Sequence, residues 1–238
     1  MGSQAQPRAA GVHEADETVE NYYENPRPEL VALVPAAARV VVDVGCGQGA
    51  LGGAIRRERG AWVLGLEYVA EAAEVARTRL DRVERVDLDA LEELPVAIGS
   101  VDAFVCGDVL EHLRDPERLL RLLRRYLAPG GVIVASIPNV KHWSVLAPLL
   151  LEDRFTYAQA GLLDRTHVHL FTLEEISSML DRVGLEATHL DAVRFALPDE
   201  LRPIGELVAH WGGDVAETIA RLEAYQYFVV ARSAEAGA

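Results

Sequence analysis

The stretch Arg39–Gly53, RVVVDVGCGQGALGG, limits the fold of this chain more than any other. Three successive β-branched valines favour a strand, and a strand apolar at every position is one buried on both faces. The glycines at 45, 47 and 49 do not belong to that strand, because glycine weakens regular structure and instead permits positive φ. The run therefore reads as a core strand, Val40–Val44, ending in a tight turn that enters a helix over LGGAIRRER. A turn of this kind, at the carboxyl end of a first parallel strand, is where open α/β sheets bind ligands.

The rest of the chain supports a parallel sheet. Further strands are expected at Ala61–Leu66, at ERVDL (Glu84–Leu88), at VDAFVCGDV (Val101–Val109) and at GVIVASIP (Gly131–Pro138). Helical segments separate them, at VAEAAEVARTRLDRV and at DPERLLRLLRRYL, the latter stopped by Pro129-Gly130-Gly131. A βαβ rhythm of this kind implies helices on both faces of the sheet. Beyond Pro138 the rhythm breaks: residues 139–171 hold three histidines and little periodicity. Thr172 then opens a helix through a capping box with Glu175. Two late strands, LEATHLDAVRF and AYQYFVVAR, flank a helical stretch over 198–222. Residues 1–18 read as a disordered polar tail and 19–238 as a single domain.

With 238 residues the chain can bury a sizeable core, and its formal charge of −14 opposes a nucleic-acid partner. Cys46 and Cys106 are far apart in apolar surroundings and read as reduced core thiols. No apolar run approaches membrane-span length, and the first residues lack the apolar stretch of a signal peptide. The expectation is a cytoplasmic protein without stable membrane insertion; a homodimer is left open.

Glu67 lies 24 residues after Asp43, at the end of the second strand, where a carboxylate can accept hydrogen bonds from ribose hydroxyls. The residues thus point to a nucleoside-containing cofactor. Gly45, Gly47 and Ala50 also satisfy a relaxed dinucleotide pattern, which keeps NAD in view. Asp43 before the turn and Asp87 at the end of the third strand, where it could meet an adenine amino group, suit a cationic cofactor better than a pyrophosphate.

In VVDVGCGQG, GLEYV, VDLD, VDAFVCGDVLEHLRDP and LAPGGVIVASIPN, in that order and spacing, the chain resembles the class I S-adenosylmethionine-dependent methyltransferases. The resemblance spans roughly residues 20–190. It implies a Rossmann-like α/β fold with a seven-stranded sheet in the order 3-2-1-4-5-7-6, its last strand antiparallel, and S-adenosylmethionine as cofactor. Carried over by position, Gly45, Cys46, Gly47 and Gly49 approach the methionine and ribose, and Asp43 steers the loop. Glu67 holds the ribose, Asp87 and Leu88 flank the adenine, and Asp108 follows the fourth strand near the methyl group. Tyr68 is either a packing partner of the adenine or an ordinary half-buried aromatic. IPNVKHWSVL and GLLDRTHVHLFTLEE resemble a bacterial subgroup that modifies small molecules or polysaccharides. The acceptor expected is therefore a small molecule or sugar, with residues 139–171 and 196–223 shaping its pocket.

A hydroxyl acceptor must lose a proton, so a base or a metal assists O-methylation. His167, His142 and His112 are the candidate catalytic groups. Asp108, Glu111 and His112 share a face if GDVLEHL is helical. With His167 they are similar to the metal set of small-RNA 2′-O-methyltransferases, although the full motif is missing and the chain's acidity opposes an RNA acceptor. Two carboxylates and two imidazoles suit Mg, Mn, Fe or Zn. The alternative for Glu111-His112 is a pair that caps or orients a helix, and Asp164 and Arg165 are a candidate local ion pair. Rival functions are N-methylation of an amino sugar or metabolite, O-methylation of a lipid quinone with WSVLAPLLL touching a bilayer, a non-catalytic binding module, and a nicotinamide dehydrogenase.

Overall fold

The computed structural model describes residues 26–234. The expected tail at 1–18 lies outside the described residues, as do Tyr22 and Tyr23, which the sequence leaves as either a lid over the cofactor or N-terminal packing. Strands β1 (Val40–Val44), β2 (Trp62–Glu67), β3 (Arg82–Arg85), β4 (Val101–Gly107), β5 (Leu127–Pro138), β6 (Leu185–Arg194) and β7 (Ala224–Ser233) form one sheet. Its order is β3-β2-β1-β4-β5-β7-β6, with β1 parallel to β2 and β4, and β7 antiparallel to β5 and β6. This is the expected topology, including the reversed strand. The helices are α1 (Pro28–Leu33), α2 (Ala50–Arg59), α3 (Ala70–Ala76), α4 (Pro116–Tyr126), α5 (Trp143–Glu152), α6 (Leu173–Arg182), α7 (Ile204–His210) and α8 (Val215–Glu223).

The valine run of β1 is apolar throughout because both faces of the sheet are covered. Val41, with Val63, Ala103, Val105, Val132 and Val134, packs against Leu30, Ile55 and Ala73 of α1, α2 and α3. Val42 and Val44, with Leu64, Leu66, Phe104 and Ile133, pack against Leu119, Leu123, Ile176 and Met179 of α4 and α6. Burial of such side chains contributes roughly 1.5–3 kcal/mol each. Cys46 and Cys106 are free and buried, and burial pushes both thiols up from their ordinary range.

Several element ends fall elsewhere than expected, each for a local reason. The third strand is Arg82–Arg85 and not Glu84–Leu88, so Asp87 lies in a loop beyond the strand. Its Oδ1 accepts the Asp89 N–H at 3.0 Å, a turn that competes with further pairing. β4 stops at Gly107 because Asp108 is left-handed, with φ 56°. β5 begins at Leu127, ahead of Gly131, and its pairing with β4 shifts register between Val101 and Ala103. Helix α5 was not legible as a period. Pro148 sits inside it, and its leucines at 149–151 are exposed instead of facing one core. The capping box at α6 is present as expected: Glu175 N–H donates to Thr172 Oγ1, and Thr172 N–H donates to Glu175 Oε2 at 3.1 Å. Among the described residues, no helix is long and apolar enough to cross a membrane.

Gly65 of β2 shows how closely the glycine loop packs on the sheet. A Cβ there would stand 2.6 Å from Cys46 Sγ and 2.7 Å from Leu80 Cδ1. Gly65→Ala is expected to lower unfolding free energy by about 1–3 kcal/mol through overpacking. Chemical denaturation checks this, and an unshifted midpoint would show that the loop yields freely.

Candidate active site at the carboxyl edge of the sheet

The turn between β1 and α2 needs its glycines. Gly45, Gly47 and Gly49 have φ of 67°, 53° and 78°, a region that L side chains rarely adopt. At Gly45 a Cβ would also meet Val109 Cγ2 at 2.8 Å. Two carboxylates brace the turn. Asp43 Oδ2 accepts the Gly52 N–H at 2.9 Å, tying the end of β1 to the first turn of α2. Glu67 Oε2 accepts the Gly47 N–H at 2.8 Å, while its Oε1 accepts the Val69 N–H at 2.7 Å. Asp43 is fully enclosed, so its influence on a ligand passes through the loop and through its charge. Glu67 is also buried, and each of its oxygens keeps a lone pair beyond its backbone bond. Tyr68 stands exposed just after Glu67; Asp87 is exposed and Leu88 half-buried beyond β3.

This donor set fits a cationic nucleoside cofactor. The loop Val44–Gly49 carries no basic side chain, and the two carboxylates beside it would repel a pyrophosphate. A sulfonium is instead attracted, which disfavours the dinucleotide alternative.

Past β4, Asp108 is held by three groups. Its Oδ1 accepts from Ser136 Oγ at 2.8 Å and from Gln226 Nε2, and its Oδ2 accepts from an Arg27 N–H. Burial works against the Arg27 charge, but Asp108 and Glu29 outweigh it and raise the guanidinium above its usual value. Arg27 and Gln226 were missed in the sequence. The available signal was a glutamine in the otherwise apolar AYQYFVV.

The short 3₁₀ turn Leu110–His112 brings Glu111 and His112 to His167, and their ligand atoms lie within 4.8 Å of one another. Both Glu111 carboxylate oxygens are buried without a hydrogen-bond partner. Burial, and then the Asp108 charge, push the Glu111 carboxyl well above the usual range. The two imidazoles meet edge to face with centroids 4.8 Å apart. His112 Nδ1 lies 3.2 Å from the Thr166 carbonyl and His167 Nδ1 3.2 Å from that of Leu162. Each Nδ1–H thus donates to backbone, which leaves each Nε2 with a lone pair. Asp108 is outside this triad, its oxygens committed to Arg27, Ser136 and Gln226.

His142 stands apart. It is fully buried at the start of α5, where its Nδ1 accepts the Ser144 N–H at 3.3 Å, and its ring packs on Trp143, Phe195 and Tyr225. Burial lowers its pKa to about 4, so it is a weak base sealed from solvent. Its geometry is that of a helix cap. Asp164 and Arg165 do not form the expected ion pair; Asp164 Oδ1 takes the Thr166 N–H at 2.7 Å and Oγ1 at 2.6 Å.

A seven-stranded sheet in this order, with one reversed strand, is the architecture of a Rossmann-like methyltransferase. Residues 16–190 match a family model described as a methyltransferase domain, and the chain belongs to that family. It is an S-adenosylmethionine-dependent methyltransferase. Among similar proteins is a ubiquinone biosynthesis O-methyltransferase of Psychrobacter cryohalolentis, 28% identical over 183 residues that cover 71% of each chain. A protein of the same description from Xanthomonas oryzae pv. oryzae is 33% identical, covering 58% of this chain and 67% of that one. The crystal structure of an S-adenosylmethionine-dependent methyltransferase from Mesorhizobium loti superposes with a TM-score of 0.57 at 24% identity, covering 86% of this chain and 96% of that one; it shows the shared fold.

Burial raises the Asp43 carboxyl to about 7, with the Gly52 N–H opposing the rise and the Glu67 charge adding to it. A folded-state pKa above the unfolded value means that the folded protein holds the extra proton between about pH 4 and 7. Asp43 should therefore make stability fall as pH rises through that window, by at most about 1.4 kcal/mol per pH unit. In Asp43→Asn this component should vanish. Urea denaturation at pH 5 and pH 8 measures it, and an unchanged slope would show that Asp43 ionises without cost.

Proposed function

We propose that the protein methylates a hydroxyl oxygen of a small-molecule acceptor, and that Glu111, His112 and His167 hold a divalent cation that activates that hydroxyl. The observation carrying this reading is the Glu111 carboxylate, buried with neither oxygen paired, facing two imidazoles whose Nε2 atoms are free. A carboxylate left so is costly unless it is protonated or meets a cation. One carboxylate and two imidazoles are an ordinary ligand set for a first-row divalent metal, with positions left open for an acceptor oxygen. The O-methyltransferase names of the relatives support oxygen as the methylated atom. The acidity of the chain supports a small acceptor over a nucleic acid.

S-adenosylmethionine supplies the methyl group as a sulfonium, so the protein's task is alignment, desolvation and removal of a proton. On this reading, the N–H groups of the glycine turn and the spare Glu67 lone pairs hold the methionine and ribose parts. Leu88 and Tyr68 lie along the adenine, and Asp87 meets its amino group. The hydrogen-bonded Asp108 sets the wall of the site after β4, and Glu111, His112 and His167 would turn their ligand atoms to the cation beside the acceptor oxygen. If no cation binds, His167 is the group left to take the hydroxyl proton, and burial and His112 hold its pKa below the usual value.

A second reading, an acceptor with a long apolar tail, is favoured by one observation beyond the relatives' names. Between α5 and α7 runs an apolar groove of about 360 Å³ whose lining includes Trp143, Leu146, Leu150, Leu151, Ile204 and Leu207. Prenylated and unprenylated forms of one acceptor distinguish the two readings by their KM.

Chelator treatment is expected to lower turnover by a hundredfold or more while S-adenosylmethionine affinity is retained, with recovery on adding Mg²⁺, Mn²⁺, Fe²⁺ or Zn²⁺ (on the order of the loss for a missing metal ligand). Glu111→Gln should behave like the chelated protein and not recover. Full turnover after chelation and in Glu111→Gln would remove the metal and leave His167 as the base.

A further inference from the structure

Of the two strands at the ends of the sheet, β3 has four residues and β6 has ten. β6 pairs with β7 along one side, and among the described residues no strand lies along its other side. Its faces are poorly covered as well. Every residue from Glu186 to Asp191 is exposed, Leu190 at 47%, and Val193 and Phe195 extend the exposed apolar surface. A long edge strand left open in this way is a template for another strand, unless a like-charged row, a proline or a covering segment blocks it.

The charges on β6 are of both signs. Glu186 and Asp191 stand against His189 and Arg194, a local balance in a chain whose formal charge is −14. Their order is self-complementary. Laid antiparallel to itself about Leu190, the strand sets Asp191 opposite His189 and Glu186 opposite Arg194, each pair occurring twice. Opposed residues of an antiparallel pair share a face and gain when their charges are opposite. His189 and Asp191 do share one, since they align with Val230 and Phe228 of β7, while Leu190 aligns with Val229 on the other. Neighbouring alignments lose this match: about Asp191 two carboxylates face each other, and about His189 two imidazoles do. The bulge between Ala187 and His189 falls outside the inner pairs, and the long Glu186 and Arg194 side chains span the offset it makes.

We infer that β6 is a docking edge for a second copy of this chain. The two β6 strands pair antiparallel about Leu190 and join two sheets into one. The contact is isologous, as a two-fold dimer requires. The leucines meet side by side at the dyad, and the Asp191 carboxylate meets the second copy's His189 on the opposite face. In the single copy that carboxylate folds back, its Oδ1 accepting the Ala192 N–H at 2.7 Å. Arg194 Nη1 donates to the Ala220 carbonyl at 2.9 Å, which anchors the guanidinium at the end of the strand with further N–H groups to offer. One strand pair with its flanks is a small interface, so the dimer is reversible.

Sedimentation velocity of the full chain between about 1 and 500 µM tests this, with a monomer–dimer Kd of about 1–100 µM expected. Leu190→Lys sets two ammonium groups across the dyad and should raise Kd about tenfold or more. Asp191→Lys should do the same, and adding His189→Glu to it should bring Kd back to within about threefold of the wild type. Leu190→Cys should cross-link two chains on treatment with oxidised glutathione, because Cα atoms opposed in an antiparallel pair stand about 4.5–5.5 Å apart, within disulfide reach. The native Cys46 and Cys106 are buried, and Ile98→Cys, exposed in the loop before β4, is the control that should stay uncross-linked. A monomer throughout the range would overturn the inference. So would a dimer whose Kd is unmoved by Leu190→Lys, or Ile98→Cys cross-linking as readily as Leu190→Cys, since either puts the interface elsewhere. Failure of His189→Glu to rescue Asp191→Lys would overturn the alignment about Leu190.

Discussion

A carboxylate can be buried only where donors or a cation meet it, and the carboxyl edge of this sheet concentrates four. Asp43 is met by one N–H, from Gly52, and Glu67 by two, from Gly47 and Val69. Asp108 is met by Arg27, Ser136 and Gln226. Glu111 is met by nothing among the described residues. One guanidinium, Arg27, faces four carboxyl groups, and Asp43 and Glu111 are both held above the usual carboxylate range, so full ionisation of this poorly solvated edge is costly until a cation arrives. Such an edge selects for cations. The sulfonium of the cofactor is one, and the proposed divalent ion is the second.

The sheet order makes that edge possible. β1 and β4 sit side by side at the centre, so Asp43 and Asp108 leave neighbouring strand ends while Glu67 leaves β2 on the other side of β1. The reversed β7 then contributes from the opposite direction: Gln226 pairs in register with Pro138 and reaches Asp108. At the same place Asn139 donates to the Arg221 and Ala224 carbonyls at 2.9 and 2.6 Å, fastening the end of β5 to the junction of α8 and β7. The two segments beyond the regular sheet are thus tied to the sheet that carries the glycine turn.

What the sequence disclosed follows the range over which its signals act. The glycine turn, Glu67, the βαβ alternation and the Thr172 capping box depend on neighbours a few residues away, and each is where the sequence places it. Asp87 lies beyond its strand, where its side chain turns back to accept the Asp89 N–H. Glu111 was read in the sequence both as a candidate metal ligand and as half of a helix-orienting Glu-His pair, but its burial without a partner depends on strands and turns distant in sequence. His142 looked like a pocket residue from its position after β5, yet Trp143, Phe195 and Tyr225 close over it, and Phe195 and Tyr225 are brought there only by the β6–β7 hairpin. Arg27 and Gln226 meet Asp108 across 81 and 118 residues, a pairing that no local pattern encodes.

The segment before α6 is fastened to the turn that carries Glu111 and His112. The N–H groups of Val168 and His169 both donate to the Glu111 carbonyl, at 2.8 and 3.0 Å. This seats the turn carrying Arg165 and His167 on the 3₁₀ turn carrying Glu111 and His112. His112 in turn donates from Nδ1 to the Thr166 carbonyl, between those two residues. A change that shifts this segment would therefore also shift the Nε2 atom of His167 and the ring orientation of His112. Ligand sets tolerate little displacement, of order half an ångström. Side-chain changes at an exposed position such as Arg165 would then disturb this cluster less than changes along the backbone between 158 and 169, where the hydrogen bonds that hold it are made.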